Sequence, residues 1–269
     1  MFFTVLIFLW SIVGAYDTDT ILKKSKQVTH PNLSYRYVDD VLIVDWKVGS
    51  PERVLLMFNE HARELVTGEL GLRTIQRLVE WSPKVNVTIV PVLNVWGRKR
   101  VENGAECLRK NSRGVDTNRN FQTELHHYEL DSEEYEGRFP ISEKESKIIN
   151  SELQGVTRYI NIHSGEYSIY MPYDSSYNTP PNADVMSAQI QKWARHCPKC
   201  AIGAAAKTSS YKAFGTSVDW AVHQGIPESY TFEIYGEETW QCKEMFNPPD
   251  EKLEEELRPW LQILKEALT

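Results

Sequence analysis

The sequence predicts an α/β domain with helices on both faces of a sheet, and three observations carry that reading. Short runs rich in β-branched and other apolar residues alternate with longer runs of helical period, the pattern of a sheet covered by helices. No composition shift, low-complexity linker or internal repeat divides the 269 residues, a length that can bury one full core as a single domain. Finally, the apolar run Val54-Leu55-Leu56-Met57-Phe58 passes through Asn59-Glu60-His61-Ala62-Arg63-Glu64 into a periodic run from Leu65 to Trp81. A strand there hands over to a helix, and in open α/β sheets ligands gather outside the carboxyl ends of strands.

The elements follow in order. Ile21 to Asn32 reads as a weak helix and a turn. Tyr35 to Asp45 carries Val38, Val41, Leu42, Ile43 and Val44, a strand pair broken at Asp39-Asp40. Val54 to Phe58 is a buried strand. Leu65 to Trp81 sets Leu65, Leu70, Leu72, Ile75, Leu78 and Val79 broadly on one face, and Ser82-Pro83 ends it. Val85 to Leu93 is a second buried strand. Asn94 to Phe121 has neither period and is polar, basic and glycine-bearing, which marks a long functional loop. Ser142-x-x-Glu145 predicts a capping box opening a helix to Leu153. Val156 to His163 is a strand, Tyr167 to Tyr173 a shorter one, and Ala183 to His196 an amphipathic helix. Ser217 to Gln224 is a short helix, Tyr230 to Tyr235 a strand carrying Glu233, and Asp250 to Leu268 a terminal helix kinked or split at Pro259.

Composition narrows the function. A net charge of -7 and a pI near 5.6, without a basic stripe, argue against a nucleic-acid partner. Phe2 to Val13 is nearly all apolar and is followed by Gly14-Ala15. It is too short to span a bilayer and fits a secretory leader cleaved near Ala15, although no Lys or Arg precedes it. A buried strand or an anchor is the other reading. The expected layout is a leader over 1–15, an N-terminal segment over 16–34 and a catalytic domain over 35–269, secreted or lumenal and not stably inserted in a membrane. In a secreted chain the four cysteines suggest disulfides, for which three pairings exist. The preferred one joins Cys197 to Cys200 and Cys107 to Cys242. Asn32-Leu33-Ser34 and Asn86-Val87-Thr88 are glycosylation sequons, the second disfavoured because Asn86 opens a strand.

His61 and Glu64, three apart in a strand-to-helix turn, can both reach one cation. Two His and one Glu is a familiar catalytic zinc set that leaves a position for water. Alone, this spacing fits a solvated loop better than a metal site, and the third ligand must come from elsewhere.

Six pieces occur in a fixed order: His61-Ala62-Arg63-Glu64; Leu108-Arg109-Lys110; Gly114-Val115-Asp116-x-Asn118-Arg119-Asn120; Ile162-His163-Ser164; Tyr211 to Trp220; and Tyr230-Thr231-Phe232-Glu233. Together they resemble the zinc carboxypeptidases of the carboxypeptidase A/B family, from about Val38 to the C-terminus. Phe232-Glu233-Ile234-Tyr235-Gly236 is nearer to a plant and protist branch than to the digestive enzymes. The resemblance implies a mixed, mostly parallel twisted sheet. It also implies one Zn²⁺ per chain, held by His61, Glu64 and His163, and substrates that are peptide or protein C-termini. An isolated His163 would read as a core histidine, and a lone Glu233 as a solvated strand acid. In the family pattern Glu233 becomes the general base, passing a proton from water to the leaving amine. Arg109 would stabilise the oxyanion. Asn118 and Arg119 would bind the substrate's terminal carboxylate, a task suited to guanidinium. Tyr211 would close over that terminus. Val218 would floor the side-chain pocket, and its lack of charge predicts preference for apolar or aromatic C-terminal residues.

The sequence departs from the family pattern in places. Gly165 replaces the usual tyrosine after His-Ser, which predicts an opened cleft. The loop between Arg109 and Asn118 is short and Ile234-Tyr235-Gly236 stands for Leu-Arg-Asp; the reading also expects a clipped N-terminal region and a catalytic part made without a domain-sized inhibitory pro-segment. Two other functions share these residues: an amidohydrolase removing acyl groups from amino acids, and a non-catalytic, zinc-bound protein that holds peptide ends.

Overall fold

The computed structural model describes residues 15–121 and 127–269. All but the last residue of the expected leader lies outside them. No described helix is long and apolar enough to cross a membrane.

Eight strands form one sheet: β1 (Leu33–Val38), β2 (Val41–Trp46), β3 (Arg53–Phe58), β4 (Asn86–Val90), β5 (Arg158–His163), β6 (Glu166–Met171), β7 (Ala201–Ala204) and β8 (Glu228–Tyr235). Their order is β1-β2-β4-β3-β5-β8-β6-β7. The run β4-β3-β5-β8 is parallel, as is the β6–β7 pair, whereas β1–β2, β2–β4 and β6–β8 are antiparallel. The sheet is therefore mixed and mostly parallel, as expected. The first hairpin turns at Asp39, whose φ is 53°.

Helices are α1 (Thr18–Ser25), α2 (Leu65–Trp81), α3 (Val95–Glu102), α4 (Lys144–Glu152), α5 (Ala183–Trp193), α6 (Ala205–Ser209), α7 (Ser217–His223), α8 (Cys242–Phe246) and α9 (Leu253–Leu268). Alternating strand residues divide the core in two. Leu42, Val44, Leu56 and Phe58 pack against α2, α5 and α9. Val41, Ile43, Leu55 and Met57 pack on the other side with Ile21 of α1, Ile148 of α4 and Val218 of α7. Period-two strands with both faces covered produce this division. Both expected disulfides are present, Cys107–Cys242 and Cys197–Cys200.

Three local expectations are corrected. The predicted loop after Asn94 begins with helix α3. Its hydropathy period fails because it buries a charge: Arg98 is 0% exposed. Arg98 donates to Asn59 Oδ1 at 2.9 Å, Leu65 O at 2.7 Å, Glu102 Oε1 at 3.0 Å and Tyr16 O at 3.0 Å. Asn94 caps the helix by accepting from Gly97 N. A Cβ at Gly97 would lie 2.6 Å from that Oδ1 and 2.7 Å from Ala62 Cβ, so a side chain there would displace the cap or the metal-site turn. The Ser142 capping box does not form, because Ser142 Oγ donates to Glu143 Oε1 and accepts from Asn120. Nor does Pro259 split α9. Leu257, Trp260, Ile263 and Leu264 are buried on its inner face, and their packing outweighs the roughly 3 kcal/mol cost of an interior proline. β7, α6 and α8 carried no clear sequence period.

Because Arg98 of α3 joins the segment before α1 to the turn before α2, Arg98→Met leaves Asn59 Oδ1 and the carbonyls of Leu65 and Tyr16 without this donor, while Glu102 keeps only its bonds from Thr18. It is expected to lower unfolding free energy by about 3–5 kcal/mol in urea titration.

Candidate metal centre

The parallel strands β3, β5 and β8 end together. Phe58 lies opposite Ile162, Ile162 opposite Phe232, and His163 opposite Glu233. Past β3, Asn59 takes a φ of 53°. Its Nδ2 donates to the carbonyls of His61 and Glu64, while Thr67 Oγ1 also donates to Glu64 O. These bonds clamp the turn. Glu64 is the N-terminal cap residue of α2 but makes no side-chain capping bond, so its carboxylate is available to the site.

Three donor groups converge there. His61 Nδ1 is 2.7 Å from Glu64 Oε1, His163 Nδ1 is 3.0 Å from Glu64 Oε2, and the two Nδ1 atoms are 3.1 Å apart. All three residues are buried. Among the described residues this is the group of His, Cys, Asp or Glu side chains able to hold a metal ion, with ligand atoms within 4.8 Å of one another. Two imidazoles and a carboxylate suit zinc. With metal–ligand bonds of about 2.0–2.1 Å, tetrahedral donors sit roughly 3.3 Å apart, close to the spacings seen. The residues therefore fit the ion.

Supporting charges surround the trio. His61 Nε2 faces Asp116 Oδ1 at 3.1 Å, and Arg109 Nε donates to Asp116 Oδ2 at 2.8 Å. Asp116 thus orients the ligand and the arginine together. Burial would raise the Asp116 carboxyl, but Arg109 and His61 hold it well below the usual range. Burial likewise opposes the charges of Glu64 and His163. The two imidazoles bring Glu64 well down, and Glu64 carries His163 up to about 9. Glu233 sits beside them with a buried, unpartnered Oε2. Burial pushes its carboxyl up to about 8, against the attraction of His163.

Arg109 lies beside the trio, with Nη1 at 3.2 Å from His61 Nδ1. Asn118 and Arg119 follow Asp116 on a short 3₁₀ turn, Thr117–Arg119. Asn118 Oδ1 accepts from Ser217 N. Arg119 donates through Nη2 to Glu134 Oε1 at 2.6 Å, and the Tyr211 hydroxyl donates to the same oxygen. Arg119 and Tyr211 therefore meet around Glu134, an acid that no motif announced. Val218 is 1% exposed within the second core cluster, so its side chain contributes little open surface.

The opened cleft expected at Gly165 is corrected. A Cβ there would lie 3.0 Å from Phe246 Cε1, so the ring of Phe246 fills the space a side chain would take. Ser164 Oγ donates to Phe246 O at 2.8 Å, and the Arg63 guanidinium stacks 4.3 Å from the ring centre. Asn247 ties the segment to Arg63 O and Val66 N. Sequence reasoning missed Asp116 as the link between ligand and arginine, although it lies inside a quoted motif. It also missed Phe246 and Glu134, which carry no pattern.

The family model described as zinc carboxypeptidase matches residues 40–260. Carboxypeptidase B of Bos taurus is 27% identical over 260 residues, covering 84% of this chain and 62% of that protein. Mast cell carboxypeptidase A of Homo sapiens is 26% identical over 266 residues, with the same shares. The chain thus spans less than two thirds of the length of these relatives. The carboxypeptidase A structure from Helicoverpa armigera superposes with a TM-score of 0.82 at 20% identity, over 96% of this chain and 74% of that one. Bovine thrombin-activatable fibrinolysis inhibitor, solved with a tick carboxypeptidase inhibitor, gives 0.79 at 20% over 93% of both chains. At that identity the structural likeness speaks to the fold.

Asp116→Asn keeps the shape but removes the charge facing His61. It is expected to weaken zinc binding about 10–100-fold, read by competition with a chelator.

Proposed function

This chain belongs to the zinc carboxypeptidase family, and from that premise we propose that it removes single residues from the C-termini of peptides or proteins. The observation that carries the reading is the meeting, at one end of the sheet, of a His-Glu-His trio, a half-buried acid with an unpartnered buried oxygen, and a buried arginine. A zinc ion held by His61, Glu64 and His163 supplies Lewis acidity, lowering the pKa of water and polarising the scissile carbonyl. Arg119 engages the free carboxylate, Asn118 and Tyr211 frame it, and binding there fixes the last peptide bond at the trio. Arg109, held by Asp116, faces the carbonyl oxygen as its charge develops. Glu233 takes a proton from the attacking water and returns it to the departing amine, so that hydroxyl adds to carbon and hydrogen to nitrogen. Burial raises the affinity of Glu233 for that proton, which suits the relay.

For the C-terminal residue we infer an apolar or aromatic preference, supported by the uncharged Val218. Asp174 borders the same turn through Thr216 and feels Arg119 and His163. Burial, followed by the charge of Asp219, pushes its carboxyl up to about 7. Below that pH it is neutral and adds no charge to the site. We also infer secretion, which the two disulfides support as products of an oxidising compartment.

Zinc-loaded Glu233→Gln should lose roughly 10²–10⁴ of kcat at unchanged zinc content; full turnover would remove the base. C-terminal sequencing of digests should show Phe, Leu and Val released faster than Lys. The margin should be widest below pH 7 and narrow above it as Asp174 ionises. Faster release of Lys at low pH would overturn the preference.

A further inference from the structure

The carboxylate seat at Arg119 holds an acid of the chain itself. Glu134 Oε1 accepts from Arg119 Nη2 at 2.6 Å and from the Tyr211 hydroxyl. These are the donors that the proposed function assigns to the substrate's free terminus, and the inference rests on that reading. Arg119 is 7% exposed at its side chain, so few anions can reach it together. Its Nη1 is spent on Asn118 O, and its Nε is buried without a partner. Nε and Nη2 form one edge of the guanidinium, the edge a carboxylate grips with two oxygens. Glu134 takes one of those two positions and leaves the other unmet.

The backbone holds the acid in place. Glu134 N donates to Ser132 Oγ at 3.1 Å, Tyr135 O accepts from Asp116 N at 2.9 Å, and Glu133 pairs with Arg63 at 3.1 Å. The neighbouring residues on both sides are thereby tied to the metal-site scaffold. The Glu134 side chain itself is 29% exposed, so it borders water into which it can swing. Burial works against its charge, but Arg119 and Tyr211 more than offset that and hold the carboxyl below its usual range. It is an anion at neutral pH.

We propose that the Glu134 side chain is a built-in competitor for the carboxylate seat at Arg119 and Tyr211, which a substrate must displace, so that Glu134 sets affinity for C-termini. A free carboxylate replaces one grip on Arg119 with two, whereas a neutral C-terminal amide has no charge with which to compete. Glu134 thus penalises every ligand for entry and is overcome by those that use both donors.

The test compares zinc-loaded wild type, Glu134→Gln and Glu134→Ala on N-benzoyl-Gly-Phe, with 3-phenylpropanoate as a competing carboxylate. Removing a partly exposed internal ion pair is expected to lower KM and the inhibition constant by about fivefold to tenfold, with the gain in KM rather than kcat. Unchanged or higher KM and inhibition constants in both variants, with the wild type turning over, would overturn the proposal and make Glu134 a residue that orders Arg119. That result leaves the carboxypeptidase reading standing. If all three proteins leave N-benzoyl-Gly-Phe intact and none binds 3-phenylpropanoate, that reading fails and this inference with it. The isosteric Gln variant keeps the test usable should the Ala variant fail to fold.

Discussion

The parallel ladder of β3, β5 and β8 is the constraint on which the rest depends. His163 and Glu233 are opposite residues on adjacent strands, and His61 and Glu64 lie just beyond the end of β3. Side chains in parallel neighbours at one level point to the same face, so the register alone brings ligand and acid together. A slip of one residue on either strand would send one of them to the opposite face. The surrounding core enforces the register, because the same slip would drive Phe58, Ile162 and Phe232 out of their apolar contacts. Burial of ordinary hydrophobic residues thereby holds a site made of charges.

Those charges would be costly in isolation. Glu64, Asp116, His61, His163 and Arg119 sit out of water and Arg109 is part-buried, and burial opposes charge on each group whose titration is displaced. They persist because each faces an opposite sign at hydrogen-bond distance. Asp116 is the hinge of this arrangement, touching His61 through one oxygen and Arg109 through the other. Two functions are thereby coupled through one carboxylate.

What the sequence disclosed follows from which forces leave a periodic trace. α2 and the central strands are stabilised by one-sided or two-sided apolar burial, and their bounds are readable to within about three residues. The metal ligands and Arg109 sit in ordered motifs, and the structure brings them together. α3 was unreadable because its stability comes from a buried arginine and an Asn cap, neither of which produces hydropathic periodicity. The capping box failed because Ser142 found a stronger partner in Glu143. Gly165 was read from one residue alone, whereas the space beside it is decided by Phe246, 81 positions later in number. Glu134 belongs to the same class, since its contact with Arg119 exists only in three dimensions.

The Cys107–Cys242 bridge spans 135 residues and joins two walls that frame the site. One side leads directly into Arg109, and the other begins the helix that ends in Phe246. The ion-binding trio is carried by β5 and by the turn after β3, and that turn is tied to both walls, through Ala62 N to Arg109 O and through Asn247 to Arg63 O. The covalent tie therefore fastens the loop that carries Arg109 to the segment that carries Phe246, and it constrains the contour of the site more directly than the strands that bear His163 and Glu233.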